Sequence, residues 1–198
     1  MKKLSLILSA LFLSFNLLTA VDTGAMAPAF TLTDTNGTEH SLSDFKGKYV
    51  VLEWTNHGCP FVKKHYKGGH MQALQEKMTG KGVVWLIVNS GAAGKQGSVT
   101  PEQGNKLIAD KKIKATALLL DTDGKVGRAY DARVTPHMFL IDPAGTLIYQ
   151  GAIDSIKSTK VEDIDKADNY VKAAYMAHKK GEAIAKPTTK PYGCGVKY

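Results

Sequence analysis

Unbroken apolar runs alternate with amphipathic segments along the middle of the chain. The strands predicted from these runs cover residues 49–54, 83–88 and 117–120. Runs with so little polar interruption are typical of strands that are covered on both faces of a sheet. The segments between and after them predict helices over residues 60–78, 101–112, 124–130 and 165–185. Gly68 and Gly69 predict a break in the first helix.

Two turn signals predict β-hairpins on either side of this region. Asn36-Gly37 lies between short runs at 30–33 and 40–42, and residues 142–145 separate two apolar runs near the end of the sheet. Asn-Gly between alternating runs is a strong hairpin signal. We therefore expect one α/β domain, with a central mixed sheet, helices on both faces and an N-terminal β-hairpin extension.

The first twenty residues have the pattern of a secretory signal peptide. Lys2 and Lys3 precede an apolar run over 4–18, and Ala20 offers a small residue for cleavage. The run is shorter than the roughly 20 residues that a membrane-spanning helix needs. We therefore expect a signal peptide (1–20), a folded domain (21–185) and a C-terminal tail (186–198). After cleavage the protein is expected in the periplasm or secreted, with no membrane anchor.

Composition and charge narrow the classes of function. The 198 residues include 26 Lys+Arg against 18 Asp+Glu, a formal charge of +8, but the lysines are scattered rather than clustered with aromatic residues. This pattern does not indicate a nucleic-acid surface. Two cysteines are too few for a thiolate zinc or iron–sulfur site, so they predict one bridge or one redox pair. No cofactor and no metal ion are expected.

Cys59 lies where a thiol is activated. It follows a predicted buried strand and directly precedes Pro60, the expected first residue of a helix. The free N–H groups and the dipole at a helix N-terminus favour a thiolate over a thiol. Lys63 and Lys64, one turn further on, add positive potential. A buried structural cysteine is the alternative, but a Gly-Cys-Pro turn is a poor place for a packing residue.

Several motifs in sequence order resemble the redoxin branch of the thioredoxin superfamily. They are the segments 26–32 and 41–48, Cys59-Pro60, and 134–142 with 145–149. That branch includes the alkyl hydroperoxide reductase and thiol-specific antioxidant group and the exported thioredoxin-like reductases. The pattern is most similar to a peroxiredoxin-like subgroup with a Pro-Tyr-Gly-Cys tail. The resemblance implies a thioredoxin-like fold and a cis peptide bond at Thr135-Pro136, which would leave the Thr135 backbone free to pair with an extended substrate.

The chain departs from the patterns of both groups in that branch, the thioredoxin-like reductases and the peroxiredoxins. Val62 stands where reductases have the second cysteine of Cys-x-x-Cys, so no disulfide can form within this turn. Asn56 occupies the position of the peroxiredoxin threonine, with Thr55 one residue out of register. The arginine of the peroxiredoxin pattern falls on Pro136, leaving Arg128 and Arg133 as nearby candidates. The peroxide-activating set is therefore incomplete.

Histidines and one acidic residue surround the predicted nucleophile. His57 precedes Cys59 by two residues, and His137 follows Pro136, so a role in proton transfer or soft-metal ligation is conceivable for either. Copper chaperones of related fold use a pair of cysteines with a distant histidine, but the second cysteine near Cys59 is absent. Glu53 is either a proton relay beneath the cysteine or a solvated or capped carboxylate.

Cys194 lies in a terminal segment that looks mobile, because Gly193 and Gly195 flank it after a proline-rich stretch. Such a thiol suits the resolution of an oxidised Cys59, within the chain or across a dimer. A permanent structural disulfide is the alternative.

These patterns lead us to expect an exported thiol-based antioxidant oxidoreductase, monomeric or dimeric. Cys59 would reduce a peroxide or a disulfide, Cys194 would resolve it, and an external thiol would supply electrons. Thr135 and Pro136 complete the catalytic set, with Thr55, Asn56, His57, Pro60 and His137 in support. The alternatives are a disulfide reductase without peroxidase activity and a non-enzymatic copper or redox carrier.

Overall fold

The computed structural model describes residues 21–198. The predicted signal peptide, residues 1–20, lies outside this described part. No helix within residues 21–198 is long and apolar enough to span a membrane.

Nine strands form two sheets within residues 21–198. They are β1 (Thr31–Asp34), β2 (Glu39–Ser41), β3 (Val50–Trp54), β4 (Val84–Asn89), β5 (Ala117–Leu120), β6 (Val134–Thr135), β7 (His137–Ile141), β8 (Leu147–Gly151) and β9 (Cys194–Gly195). The main sheet has the order β2-β1-β5-β4-β3-β7-β8, and β6 and β9 form a separate two-stranded ladder. β3, β4 and β5 are parallel, whereas β7 and β8 are antiparallel to their neighbours. The three predicted buried strands are confirmed and form the middle of a mixed sheet.

The predicted hairpin at Asn36-Gly37 is also confirmed. β1 pairs with β2 and joins the main sheet through an antiparallel contact with β5. The Asp34 carboxylate accepts hydrogen bonds from the backbone N–H groups of Asn36, at 2.8 Å, and Thr38, at 3.0 Å. These bonds stabilise the turn locally, as expected of an aspartate at the start of a turn.

Five α-helices accompany the sheet in the described part of the chain. They are α1 (Pro60–Lys67), α2 (His70–Thr79), α3 (Pro101–Asp110), α4 (Lys125–Ala129) and α5 (Tyr170–Lys179). The predicted break at Gly68 and Gly69 is confirmed, because it separates α1 from α2. The prediction of a helix over 165–185 is wrong at both ends. Asn169 caps α5 by accepting from the Lys172 N–H at 2.9 Å, and the chain leaves the helix at Gly181, whose φ of +74° favours glycine.

The two faces of the sheet have separate hydrophobic cores, as the alternation of β3 shows. Val51 faces a core that includes residues of α1, α2 and α5, while Val50, Leu52 and Trp54 face a second core that includes residues of α4. Helices therefore cover both faces, and the architecture is the thioredoxin-like α/β fold that the sequence predicts.

Candidate active site

The turn that carries Cys59 is shaped by Asn56. The Asn56 side-chain oxygen accepts from the Gly58 N–H at 2.9 Å, and its backbone oxygen accepts from the Cys59 N–H at 2.9 Å. The Asn56 amide nitrogen donates to Gln96, which fixes the turn to the loop after β4. Cys59 is the N-cap residue of α1, and Pro60 is its first helical residue. The predicted strand–turn–helix position of the thiol is therefore confirmed.

Cys194 lies directly beside Cys59. The two sulfurs are 2.8 Å apart, and both residues are free thiols. Cys194 is held there by the β6–β9 ladder, in which it pairs with Thr135, while the Cys59 sulfur also contacts the Thr135 carbonyl oxygen at 3.1 Å. The Thr135-Pro136 peptide is cis, as the family resemblance implies. A disulfide needs a sulfur separation of about 2.05 Å, so only a small side-chain movement separates the two thiols from a bond.

The surroundings make the two thiols unequal. Burial raises the pKa of the Cys59 thiol, but hydrogen bonds from the Cys194 thiol, two backbone N–H groups and the Thr135 hydroxyl hold that pKa below its usual value. Burial and the neighbouring Cys59 raise the pKa of Cys194 to about 11. The surroundings therefore favour ionisation at Cys59 over ionisation at Cys194, which makes Cys59 the better nucleophile of the two.

The tail is anchored by a buried cluster of polar groups. The Tyr192 hydroxyl donates to the Asp154 carboxylate, which also accepts from the Lys64 ammonium at 3.1 Å. Lys64 has no exposed side-chain surface and donates a further bond, at 3.0 Å, to the Ile156 carbonyl oxygen. Phe61 packs edge-on against the Tyr192 ring. Since Phe61 and Lys64 lie on α1, the helix that presents Cys59 also holds the segment that presents Cys194.

Gly193 is required by a close approach of two backbones. Its φ is +147°, and a methyl group built on it would overlap the Thr135 carbonyl oxygen. A methyl group on Gly195 would come no closer than 3.9 Å to its nearest neighbour, the Arg133 oxygen. The two glycines around Cys194 therefore differ, because only Gly193 allows the tail to reach Thr135.

Further contacts attach the rest of the tail. Thr189 donates its backbone N–H to Gln150, Val196 donates to Arg133, and the Tyr198 hydroxyl donates to the Ala132 carbonyl oxygen at 2.6 Å. Tyr192 itself is 7% exposed. The expectation of a loose tail is therefore wrong for this conformation. The structure also changes the role of Lys64, which is a buried partner of Asp154 rather than a free surface charge near the thiol.

The supporting residues predicted from the sequence lie in different surroundings. Thr55 and Asn56 are buried below the turn, and His57 is exposed beside it. His137 is 5% exposed, packs against the Phe139 ring with 4.4 Å between centroids, and leaves its Nδ1 without a hydrogen-bond partner. No hydrogen bond joins His137 to Cys59 among the residues described. The described contacts therefore do not support a role for His137 in proton transfer.

Two buried histidines make the fold sensitive to acid. Burial lowers the pKa of both His65 and His137 to about 4, against about 6.5 in the unfolded chain. Between pH 4 and pH 6.5 the unfolded state binds a proton that the folded state does not bind. The contribution of each histidine to stability is therefore fully present above pH 6.5 and is lost as the pH falls towards 4. From pH 7 to pH 5, each histidine is expected to remove about 2 kcal/mol.

The measurement is urea unfolding of wild type and His137→Asn at both pH values. The variant is expected to lose about 2 kcal/mol less than wild type on acidification, whatever its stability at pH 7. Equal losses in the two proteins would show that His137 is protonated equally in the folded and unfolded states.

Glu53 and the two candidate arginines bind residues other than the two cysteines. Glu53 is fully buried and accepts from Tyr66 at 2.8 Å, from Trp85 at 2.8 Å and from Gln75 at 3.2 Å, so it is a capped carboxylate, and burial raises its pKa. Arg128 stacks on the Tyr198 ring, and Arg133 pairs with the Asp131 carboxylate. Neither arginine takes the place of the peroxiredoxin residue at the sulfur.

Local sequence patterns do not reveal the roles in the site of five residues, which are Lys64 as a tail anchor, Gln96, Asp154, Tyr192, and Gly193 as the point of close approach to Thr135. The Pro-Tyr-Gly-Cys segment is visible in the sequence, but only its cysteine suggests chemistry. Across residues 21–198, no group of three or more His, Cys, Asp or Glu side chains converges in a way that could hold a metal ion.

Comparison with known proteins finds similar proteins that are named thiol-disulfide oxidoreductases. It is 32% identical over 133 residues to the thiol-disulfide oxidoreductase ResA of Bacillus subtilis (strain 168), which covers 65% of this chain and 66% of ResA. The chain thus spans about two thirds of the length of this relative. An uncharacterized conserved protein from Geobacillus kaustophilus superposes with a TM-score of 0.75 at 26% identity, covering 92% of this chain and 94% of that one.

The thioredoxin domain of a thiol-disulfide oxidoreductase from Bacteroides vulgatus superposes with a TM-score of 0.53 at 25% identity, covering 74% of this chain and 98% of that domain. The family model for AhpC/TSA proteins matches residues 23–150, which include β1 to β7, all of β8 but its last residue, and the turn at Cys59. The redoxin resemblance of the sequence is therefore confirmed, and the chain belongs to the AhpC/TSA family.

Proposed function

We propose that this protein is an exported thiol–disulfide oxidoreductase whose redox centre is the pair Cys59 and Cys194. The observation that carries the proposal is the 2.8 Å approach of the two sulfurs, with the pKa of Cys59 lowered and that of Cys194 raised. Relatives named thiol-disulfide oxidoreductases support the same class of reaction. The signal-like residues 1–20 support export. Protein disulfides persist in the oxidising compartments outside the cytoplasm, so they are available there as substrates.

The reaction follows from the inequality of the two thiols. The Cys59 thiolate attacks one sulfur of a substrate disulfide, which forms a mixed disulfide and releases the other substrate sulfur as a thiolate. Cys194 then gives up its proton and attacks the Cys59 sulfur, which releases the second substrate thiolate. The protons of the two cysteines end on the two substrate thiols, and an external dithiol returns the Cys59–Cys194 disulfide to its reduced form.

The substrate must displace part of the tail to begin this sequence. Cys59 has no exposed surface in the present arrangement because Cys194 lies over it. When Cys194 and Gly195 leave the ladder, the backbone of Val134 and Thr135 is freed to pair with an extended substrate segment. The tail therefore occupies the place of the substrate and supplies the resolving thiol.

The test is the capture of the mixed disulfide. Reduced Cys194→Ser is incubated with a model peptide disulfide and analysed by mass spectrometry after digestion. We expect one peptide joined to Cys59, whereas wild type should instead contain the Cys59–Cys194 disulfide with both peptide thiols released. Cys59→Ser is the control and should form neither species. A peptide adduct on Cys194 in the Cys59→Ser control, with none on Cys59 in Cys194→Ser, would reverse the assignment of the nucleophile.

Peroxide reduction by the same thiol is the second candidate, because AhpC/TSA membership favours it. The two arginines of the sequence stand against it, since Arg128 and Arg133 are held by Tyr198 and Asp131. We expect hydrogen peroxide to oxidise Cys59 no faster than it oxidises free cysteine, while the peptide disulfide reacts much faster. Stopped-flow oxidation with each oxidant compares the two, and a peroxide rate well above that of free cysteine would select the antioxidant function.

A further inference from the structure

A half-open groove of about 770 Å³ lies beside the redox site. Its floor is apolar and includes the buried side chains of Val62, Ile87 and Leu118. One wall comes from α1 and α2, and the other from the end of α3 and the loop that follows it. Thr55 and His57 line the end next to the Cys59 turn, so the groove runs from the redox site along the outside of α1.

Exposed lysines line both walls of this lysine-rimmed groove. Lys63 and Lys67 stand on the α1 wall, and the α3 wall carries the others, which are Lys111, Lys112 and Lys114. The groove has two carboxylates, and that of Asp110 is already paired with Lys106 at 2.9 Å. The described lysine–carboxylate ion pairs use other lysines, which are Lys64, Lys106, Lys125, Lys166 and Lys180. The rim therefore has an uncompensated positive charge above an apolar floor.

The positive potential reaches the redox end of the groove. Burial, and after it the charges of Lys63 and Lys111, lower the pKa of His57. These two lysines belong to opposite walls, which shows that both walls act on the same point. An anion entering at this end therefore meets the charges of lysines from both walls.

We propose that the lysine-rimmed groove binds an acidic polypeptide segment with a bulky apolar side chain, supplied by the protein substrate. This inference rests on the proposed disulfide exchange and names the class of substrate for it. The occupant must be anionic on two sides and apolar between them, because the lysines stand on both walls and the floor is apolar. A polypeptide with spaced acidic residues meets that pattern, and continuity with the Cys59 turn lets the same polypeptide bring its disulfide to the sulfur.

Binding is tested without any redox step, in the double variant Cys59→Ser/Cys194→Ser. The probe is acetyl-Glu-Glu-Leu-Phe-Glu-Glu-amide, and its matched control carries Lys in place of every Glu. We expect the acidic peptide alone to shift the amide NMR signals of residues 61–73 and 107–114, with an affinity that falls as salt is added.

Charge reversal on both walls locates the site. Lys67→Glu/Lys114→Glu, in the same background, is expected to weaken binding of the acidic peptide at least tenfold, because each change removes an attraction and adds a repulsion. Lys46→Glu/Lys48→Glu makes the same change of charge at exposed residues outside the groove and should alter the affinity less than twofold.

Three results would overturn the proposal: no binding of the acidic peptide, equal binding by the two charge-reversed proteins, or binding of decanoate in the groove without binding of the peptide. The last result would assign the groove to a small amphiphile. Because the double serine variant carries no reactive thiol, these outcomes are independent of whether the mixed disulfide forms at Cys59. Failure of the mixed-disulfide test with intact peptide binding would remove the reaction but leave the docking site.

Discussion

Replacing Gly193 with alanine is expected to slow formation of the Cys59–Cys194 disulfide about 100-fold or more. The alanine methyl group would overlap the Thr135 carbonyl oxygen, and the backbone there has a φ of +147° that side chains rarely tolerate. The tail must therefore leave the β6–β9 ladder, and Cys194 loses its fixed position beside Cys59. A thiol on a loose tether has only a millimolar effective concentration, whereas an aligned thiol exceeds this by orders of magnitude.

The same change is expected to make the disulfide easier to reduce. A 100-fold loss in the equilibrium constant for closing the disulfide corresponds to a reduction potential about 60 mV less negative, at about 30 mV for each factor of ten. The measurement is equilibration with a glutathione redox buffer, with the oxidised and reduced proteins separated after alkylation. Stopped-flow kinetics with a peptide disulfide gives the rate.

Gly195→Ala is the matched control, because its methyl group would have 3.9 Å of clearance and the φ there is not positive. We expect it to keep the wild-type rate and potential. Equal effects of the two substitutions would mean that the tail responds to alanine in the same way at both positions. The close approach of Gly193 to Thr135 would then not be what positions Cys194.

Much of the fold follows from local sequence patterns. The apolar runs predict β3, β4 and β5, Asn36-Gly37 predicts the first hairpin, and the pair of glycines after Lys67 predicts the break between α1 and α2. Each signal depends on neighbours in the sequence, such as hydrophobic period or backbone conformation. The last helix is too long in the prediction because helical composition continues past both ends, while Asn169 and Gly181 determine where the helix starts and stops.

The active site is predictable only in part for the same reason. The activated position of Cys59 depends on its immediate neighbours, so the strand–turn–helix pattern reveals it. The place of Cys194 depends on Asp154 and Thr135, which lie 40 and 59 residues before it, and no local pattern encodes those contacts. Composition alone therefore suggests a loose tail. Glu53 likewise has two interpretations from the sequence, and its three hydrogen-bond donors in the structure decide for the capped carboxylate.

The tail then has two opposed tasks in the proposed reaction. It must hold Cys194 at the sulfur of Cys59, and it must also leave so that a substrate can reach that sulfur. The contacts divide these tasks along the tail. The ladder at Cys194 and Gly195 has only two residues on each side and is followed by the hydrogen bonds of residues 196–198, whereas Tyr192 is fixed by a buried ionic cluster. We therefore expect the end of the tail to open while Tyr192 stays in place.

Replacing Asp154 with alanine is expected to have the largest effect on stability, a loss of about 3–5 kcal/mol in the free energy of unfolding. Lys64 has no exposed side-chain surface, and Asp154 is the carboxylate that pairs with it. Removal of the carboxylate leaves a buried ammonium without a counter-charge, and the Tyr192 hydroxyl loses its acceptor. The measurement is urea unfolding at pH 7, with the rate of Cys59–Cys194 disulfide formation as a second readout of the tail.

Two further variants separate the cause from general damage to the core. Asp110→Ala breaks an exposed pair with Lys106 and should cost less than about 1 kcal/mol. Lys64→Met/Asp154→Leu removes both buried charges, and it should recover most of the lost stability because apolar side chains of similar size replace a buried pair at little cost. Disulfide formation should be slower than in wild type both in Asp154→Ala and in this double variant, since Tyr192 lacks its acceptor in each. Stability as low as in Asp154→Ala would show that the loss of stability comes from packing around Asp154 rather than from the orphaned charge of Lys64.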